Sequence, residues 1–147
     1  MKKIAFVLLT TAILSGCAAS GAKFSTVESN LPEISASAGR VYFYRTYSSF
    51  GAGMRPTIFV DGKPVGKSIP GGVFYTDLPT GNHAVTIDAQ IYPGQSSLQL
   101  NVEPKETTYV KTWIGASGFG GRTNMAIVAE SEGNTAINDL SFTGSAK

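Results

Sequence analysis

Beyond residue 40 the chain meets a turn signal about every ten residues. Asp61-Gly62, Pro70-Gly71-Gly72, Pro79-Thr80-Gly81-Asn82, Pro93-Gly94, Pro104-Lys105-Glu106 and Ser131-Glu132-Gly133-Asn134 follow one another in that order. The segments between them are too short for ordinary helices and dense in β-branched and aromatic residues, which suit a pleated surface. Strands are predicted at 40–47, 57–60, 63–67, 73–78, 83–91, 98–102, 107–114, 124–130 and 135–140. In the 83–91 segment His83, Val85, Ile87, Ala89 and Ile91 share one face, and Ala84, Thr86, Asp88 and Gln90 the other. Asp61-Gly62 specifies a type I′ hairpin because both central residues need positive φ. Pro64 in the return strand cannot donate to a ladder, so that strand belongs at a sheet edge. No window from 40 to 147 offers a helical stripe. The expectation is an all-β domain at 40–147, a single antiparallel β-sandwich of about 7–9 strands.

The N-terminus follows a different logic. Lys2 and Lys3 precede an apolar run at 4–14. A permanent bilayer-spanning helix needs roughly 20 residues, so a run of this length suits a secretory signal instead. Leu14-Ser15-Gly16-Cys17 closes it, and this resembles the lipobox of bacterial lipoproteins. The resemblance implies that Leu14, Ser15 and Gly16 are read by the signal peptidase and that residues 1–16 are removed. Cys17 then carries a diacylglycerol as a thioether on its sulfur and a fatty acyl chain such as palmitate on its new amine. Each buried methylene contributes about 0.8 kcal/mol, so several chains hold a protein on the membrane essentially permanently. The membrane is thus the first expected partner. Ala18 after Cys17, rather than Asp, implies an outer-membrane location facing the periplasm.

Cleavage also removes two lysines, and residues 17–147 carry equal numbers of basic and acidic side chains. Neither that balance nor the full chain's net charge of +2 suits a nucleic-acid partner. One Cys excludes an internal disulfide framework, and one His excludes a two-His metal site. Residues 17–39 are rich in Ala, Ser and Gly and read as a lipidated Cys and flexible tether, with a reach of roughly 25 Å. Phe24, Val27, Leu31 and Ile34 recur at spacings of three and four. A short helix lying against the domain is therefore the alternative for this stretch, although Pro32 limits its length.

Arg40-Val41-Tyr42-Phe43-Tyr44-Arg45, then Val60-Asp61-Gly62-Lys63, Gly72-Val73-Phe74, Pro79-Thr80-Gly81-Asn82-His83 and Tyr109-Val110-Lys111 form an ordered set. Together they resemble a domain-of-unknown-function family of small bacterial lipoproteins, related in style to PEGA-type β-sandwiches with transthyretin-like topology. The resemblance implies fold and compartment, with no activity attached.

Candidate chemistry is sparse. The 115–121 segment (GASGFGG) has Phe119 where a nucleophile elbow around Ser117 needs Gly, and no helix is predicted to follow it. A mobile loop is the plainer expectation. Arg45 is expected to pair with Asp61 or Asp77, and His83 to close one end of the core by bonding backbone. Tyr109, Lys111 and Trp113 alternate with Val110, Thr112 and Ile114, as Tyr42 and Tyr44 alternate with Val41 and Phe43. If the aliphatic set faces the core, the aromatic set, with Lys111 and Arg122, makes an exposed platform for an envelope protein or glycan. A non-enzymatic binding lipoprotein without cofactor or metal is the leading expectation. The alternatives are a structural accessory subunit of an envelope or secretion complex, pairing through the Pro64 edge, and an envelope hydrolase using Ser117 and His83.

Overall fold

A computed structural model describes residues 18–89, 92–94, 96–118 and 120–145. Leu14, Ser15, Gly16 and Cys17 lie outside the described residues. The strands are β1 (Ala38–Arg45), β2 (Thr57–Val60), β3 (Lys63–Lys67), β4 (Gly72–Pro79), β5 (Gly81–Ile87), β6 (Tyr92–Pro93), β7 (Ser97–Val102), β8 (Thr107–Ser117), β9 (Gly120–Val128) and β10 (Ser141–Ser145). Helices α1 (Phe24–Val27) and α2 (Glu130–Ile137) lie toward the two ends of the chain. The strands form two sheets, β10-β4-β1-β8-β9-β6 and β3-β2-β5-β7.

The four-stranded sheet is antiparallel, and its β2–β3 hairpin turns at Asp61 (φ 50°) and Gly62 (φ 77°) as the type I′ signal requires. The Pro64 strand β3 lies at the sheet edge. The six-stranded sheet is mixed, which corrects the expectation of purely antiparallel pairing. β1 runs antiparallel to β4 but parallel to β8, β10 runs parallel to β4, and β6 parallel to β9. The cause is the path of the chain. After β4 it crosses at Pro79–Gly81 into the other sheet, runs out along β5 and back along β7, and returns through a turn at Lys105 (φ 59°). It therefore enters β8 at the end where β1 also begins. Alternation in a sequence reveals faces but not the direction of a strand's neighbour.

One buried cluster joins the two sheets. Val41, Phe43, Phe74, Leu78, Val110 and Met125 of the six-stranded sheet meet Ile58, Val60, Val85, Ile87, Leu100 and Val102 of the four-stranded one. Phe43 and Phe74, directly opposite across β1 and β4, stack at 5.3 Å between centroids.

The outer face of the six-stranded sheet is covered too. Tyr42, Tyr44, Val73, Tyr75 and Tyr109 form a second cluster under Phe24, Ile137 and Leu140. Phe24 is fully buried, with its ring edge-on to Tyr42 at 5.2 Å. Residues 18–31 therefore do not form a free tether. The apolar spacing from Phe24 to Leu31 seats one short helix followed by a 3₁₀ turn at Glu28–Asn30, and the chain is extended at Leu31, just before Pro32. This segment is tied to the C-terminal one by backbone bonds, Phe24 N–H to Leu140 O at 2.8 Å and Phe142 N–H to Ala22 O at 2.8 Å.

Two C-terminal expectations also change. Residues 130–137 are helical, where a turn at 131–134 between strands 124–130 and 135–140 was expected, and β9 ends at Val128. Gly133 lets α2 sit directly on Tyr109, because a Cβ there would lie 2.2 Å from Tyr109 Cγ. That glycine looks like a turn signal in the sequence, but it serves close packing. Residues 115–117 and 120–121, expected in a loop, are strand. β8 continues to Ser117 and pairs with β9 down to Ser117–Gly120, a tight hairpin.

Candidate functional site

The six residues of the expected platform divide in two. Tyr42, Tyr44 and Tyr109 are buried beneath α1 and α2, so they offer no binding surface. The aromatic face of the sheet is a second interior because the terminal segments cover it. Burial pushes the Tyr44 and Tyr109 phenols up to about 12. The Tyr44 hydroxyl is buried with no hydrogen-bond partner among the described residues.

Lys111, Trp113 and Arg122 lie beyond that cover, on one strip of β8 and β9. The register pairs Lys111 with Ala126, Trp113 with Asn124 and Gly115 with Arg122, so all three side chains share the outer face. Lys111, Trp113, Ala126, Val128 and Glu132 line a cleft of about 380 Å³ between the strands and α2. Lys111 Nζ meets Glu132 Oε1 at 3.1 Å, and Trp113 is 39% exposed in the cleft lining. An indole wall with a cation and a carboxylate beside it suits a partly apolar ligand bearing polar groups.

A second arrangement lies at the far rim, where β2–β3 and β4–β5 turn. His83 Nδ1 lies 2.7 Å from Asp61 Oδ2, and His83 Nε2 lies 2.8 Å from Pro79 O. Both partners are acceptors, so both contacts are satisfied only when each ring nitrogen carries a proton. Burial opposes the charge, but the Asp61 and Pro79 bonds outweigh it and the His83 pKa is raised. Asp61 is lowered in turn by His83 and by the Ala84 N–H at 2.9 Å. The pair borders a cleft of about 300 Å³ with Lys63, Pro64, Thr76 and Leu78. The bond from His83 to backbone matches the sequence reading. Asp61 as its partner was not visible there, because the turn that aims this carboxylate at β5 is a product of sheet pairing.

The carboxylate pair expected of Arg45 is made by Arg40 instead. Arg45 pairs with neither Asp61 nor Asp77. It is 2% exposed and donates to Met54 O at 2.8 Å and Gly51 O at 2.9 Å, and its burial lowers its pKa. Arg40 takes Asp77 in a two-pronged contact at 2.7 and 2.8 Å, reaches Pro32 O at 2.9 Å and lies over the Tyr75 ring at 4.1 Å. One guanidinium thus clamps the N-terminal segment to β1 and β4.

Ser117 and His83 are not brought together by strand pairing. Ser117 faces Gly120 in the six-stranded sheet, and His83 faces Leu100 in the other. No group of three His, Cys, Asp or Glu residues among the described residues could hold a metal ion.

Residues 35–122 match the family model described as "Protein of unknown function (DUF2846)". The chain belongs to this family. An uncharacterized protein of Haemophilus influenzae is 26% identical over 102 residues, which cover 69% of this chain and 59% of that protein. The chain therefore spans about three fifths of the length of this curated relative. The family match contains all of the four-stranded sheet and runs from β1 to the first residues of β9. Helices α1 and α2, which cover the outer tyrosines, and the edge strand β10 fall outside it.

Proposed function

We propose that this family member is a lipid-anchored protein of the bacterial envelope, in the outer membrane facing the periplasm, and that it binds an envelope protein or glycan without catalysis. Its two sheets would stack as a β-sandwich of the PEGA-like kind, and the shared core cluster supports that arrangement. The observation that carries the reading is the sequence around Cys17: a short apolar leader ends in Leu-Ser-Gly immediately before the only thiol of the chain. The Lys111–Trp113 cleft is the surface best suited to a ligand, since it is apolar at the base and ionic at the rim. A hydrolase is the weaker reading, because the expected base His83 has both ring nitrogens engaged.

Growth with radiolabelled fatty acid tests the anchor. Cys17→Ser is expected to abolish incorporation and release the protein from the membrane fraction, and unchanged labelling would overturn the proposal. Proximity labelling from the mature domain, with and without Trp113→Ala, tests the cleft. An identical set of tagged neighbours would remove the cleft from the account.

A second reading, an accessory subunit that pairs through a sheet edge, is favoured by one feature. The edge strands β3 and β10 flank a cleft of about 230 Å³ whose apolar lining includes Val65, Ile69 and Phe74. Such an edge can accept an added strand.

A further inference from the structure

If Cys17 carries lipid, as proposed above, the fold decides which end of the domain meets the bilayer. Ala19 is docked, with its N–H bonded to Pro70 O at 2.8 Å. Only Ala18 separates it from Cys17, and two residue steps reach at most about 7 Å. The expected leash is thereby nearly eliminated, and the Pro70 end of the domain is held against the lipid headgroups. At this end β1 finishes, β4 and β10 begin and the β8–β9 hairpin turns. Gly71 N–H bonds Arg45 O at 2.9 Å, and a Cβ on Gly71 would lie 3.9 Å from Tyr47 Cβ. The 46–56 loop therefore starts beside the anchor point.

That loop is shaped from within and apolar outside. The two Arg45 bonds to Gly51 and Met54 carbonyls hold it, and Gly51 (φ 68°) packs on Ile114. Its aromatic side chains point outward, with Tyr47 65% and Phe50 47% exposed. The 46–56 and 68–71 connections contain no acidic residue, and Arg55 lies in the first. Lys67 and Arg122 stand at neighbouring strand ends. Asp88, just after β5, is the carboxylate in the connections at this end, and Asp139 on the flank is paired with Lys23. The opposite end carries Asp61, Asp77, Glu103 and Glu106 with Lys63 and Lys105, Asp77 being paired with Arg40 and Asp61 with His83.

Exposed Tyr and Phe with adjacent cations, beside a lipid attachment point, match the chemistry of a membrane interface. We infer that the 46–56 loop is a membrane-contact surface, seating Tyr47 and Phe50 at headgroup level in the bilayer that holds the anchor. The domain then stands on this end. The rim with the His83–Asp61 pair faces away from the membrane.

The test uses the acylated full-length product in vesicles of phosphatidylethanolamine and phosphatidylglycerol. Tyr47→Cys, Phe50→Cys and Lys105→Cys each receive an environment-sensitive fluorophore at an exposed position. Spin-labelled lipid with its nitroxide at headgroup level is expected to quench the first two labels several-fold more than the third. Vesicle-bound protein with equal quenching at all three positions would overturn this orientation while leaving the anchor intact. Failure of the unsubstituted protein to stay with the vesicles would overturn the anchor and the orientation together.

Discussion

The two faces of the six-stranded sheet are both interiors, yet they are built differently. The inner face is aliphatic with a stacked Phe43–Phe74 pair and is closed by a second sheet. The outer face is largely tyrosine. It is closed by α1 and α2, which come from segments distant in sequence and are stitched to each other by backbone bonds. The family match includes the first arrangement and omits the coverings of the second. Tyrosine suits a face whose cover is only one short helix thick, since its ring packs while its hydroxyl can reach toward water. The contrast teaches that an alternating aromatic face in a strand marks a surface of high value without saying whether solvent or another segment occupies it.

The comparison can be broken most directly at Phe24. Phe24→Ala should cost about 4 kcal/mol in denaturant unfolding, comparable to Phe43→Ala on the inner face. A loss below about 1 kcal/mol would mean that the outer layer is a loose cover rather than a core.

Tyr44→Phe sharpens the same point. Removing a buried hydroxyl that finds no partner should leave stability unchanged or raise it by up to about 1 kcal/mol. A clear loss would reveal a partner for that hydroxyl and a wetter outer layer.

The smallest expected effect lies at the rim of the inner core, which is closed by charge rather than by rings. The raised His83 pKa means that its contribution is full below its ordinary 6.5 and fades as pH rises through the folded value. The lowered Asp61 pKa means that its contribution is present above 3.8 and is lost as pH falls through its depressed value. The pair is therefore complete between these two ordinary values. Asp61→Asn should move the His83 titration, followed by NMR of the ring protons, toward lower pH. An unmoved titration would show that Asp61 does not hold the proton on His83.

Much of the strand framework was legible, since Asp61-Gly62, Pro64 and the alternation through β5 act over only a few residues. The 130–137 helix was not legible. Its Gly133 and polar residues imitate a turn, and its helical form depends on lying over Tyr109. Of the candidate platform, Lys111 and Trp113 share a strand face as their alternation implies, and the register of β9 adds Arg122 to the same face. Tyr42, Tyr44 and Tyr109 carry the same alternation signal, but α1 and α2 cover them. The Arg40–Asp77 and His83–Asp61 pairs were invisible because their members are 37 and 22 residues apart.

Local chemistry settles where this chain turns, which residues share a strand face and where its lone thiol stands. These properties depend on backbone sterics and a period of two, and each residue carries them with its neighbours. Tertiary structure alone decided that two strands lie parallel to β1 and β4, that the tyrosine face is interior, and that the supposed leash is docked at Pro70. Each of those outcomes depends on which distant segment pairs with a surface and buries it, and burial is a property of the pair rather than of either partner.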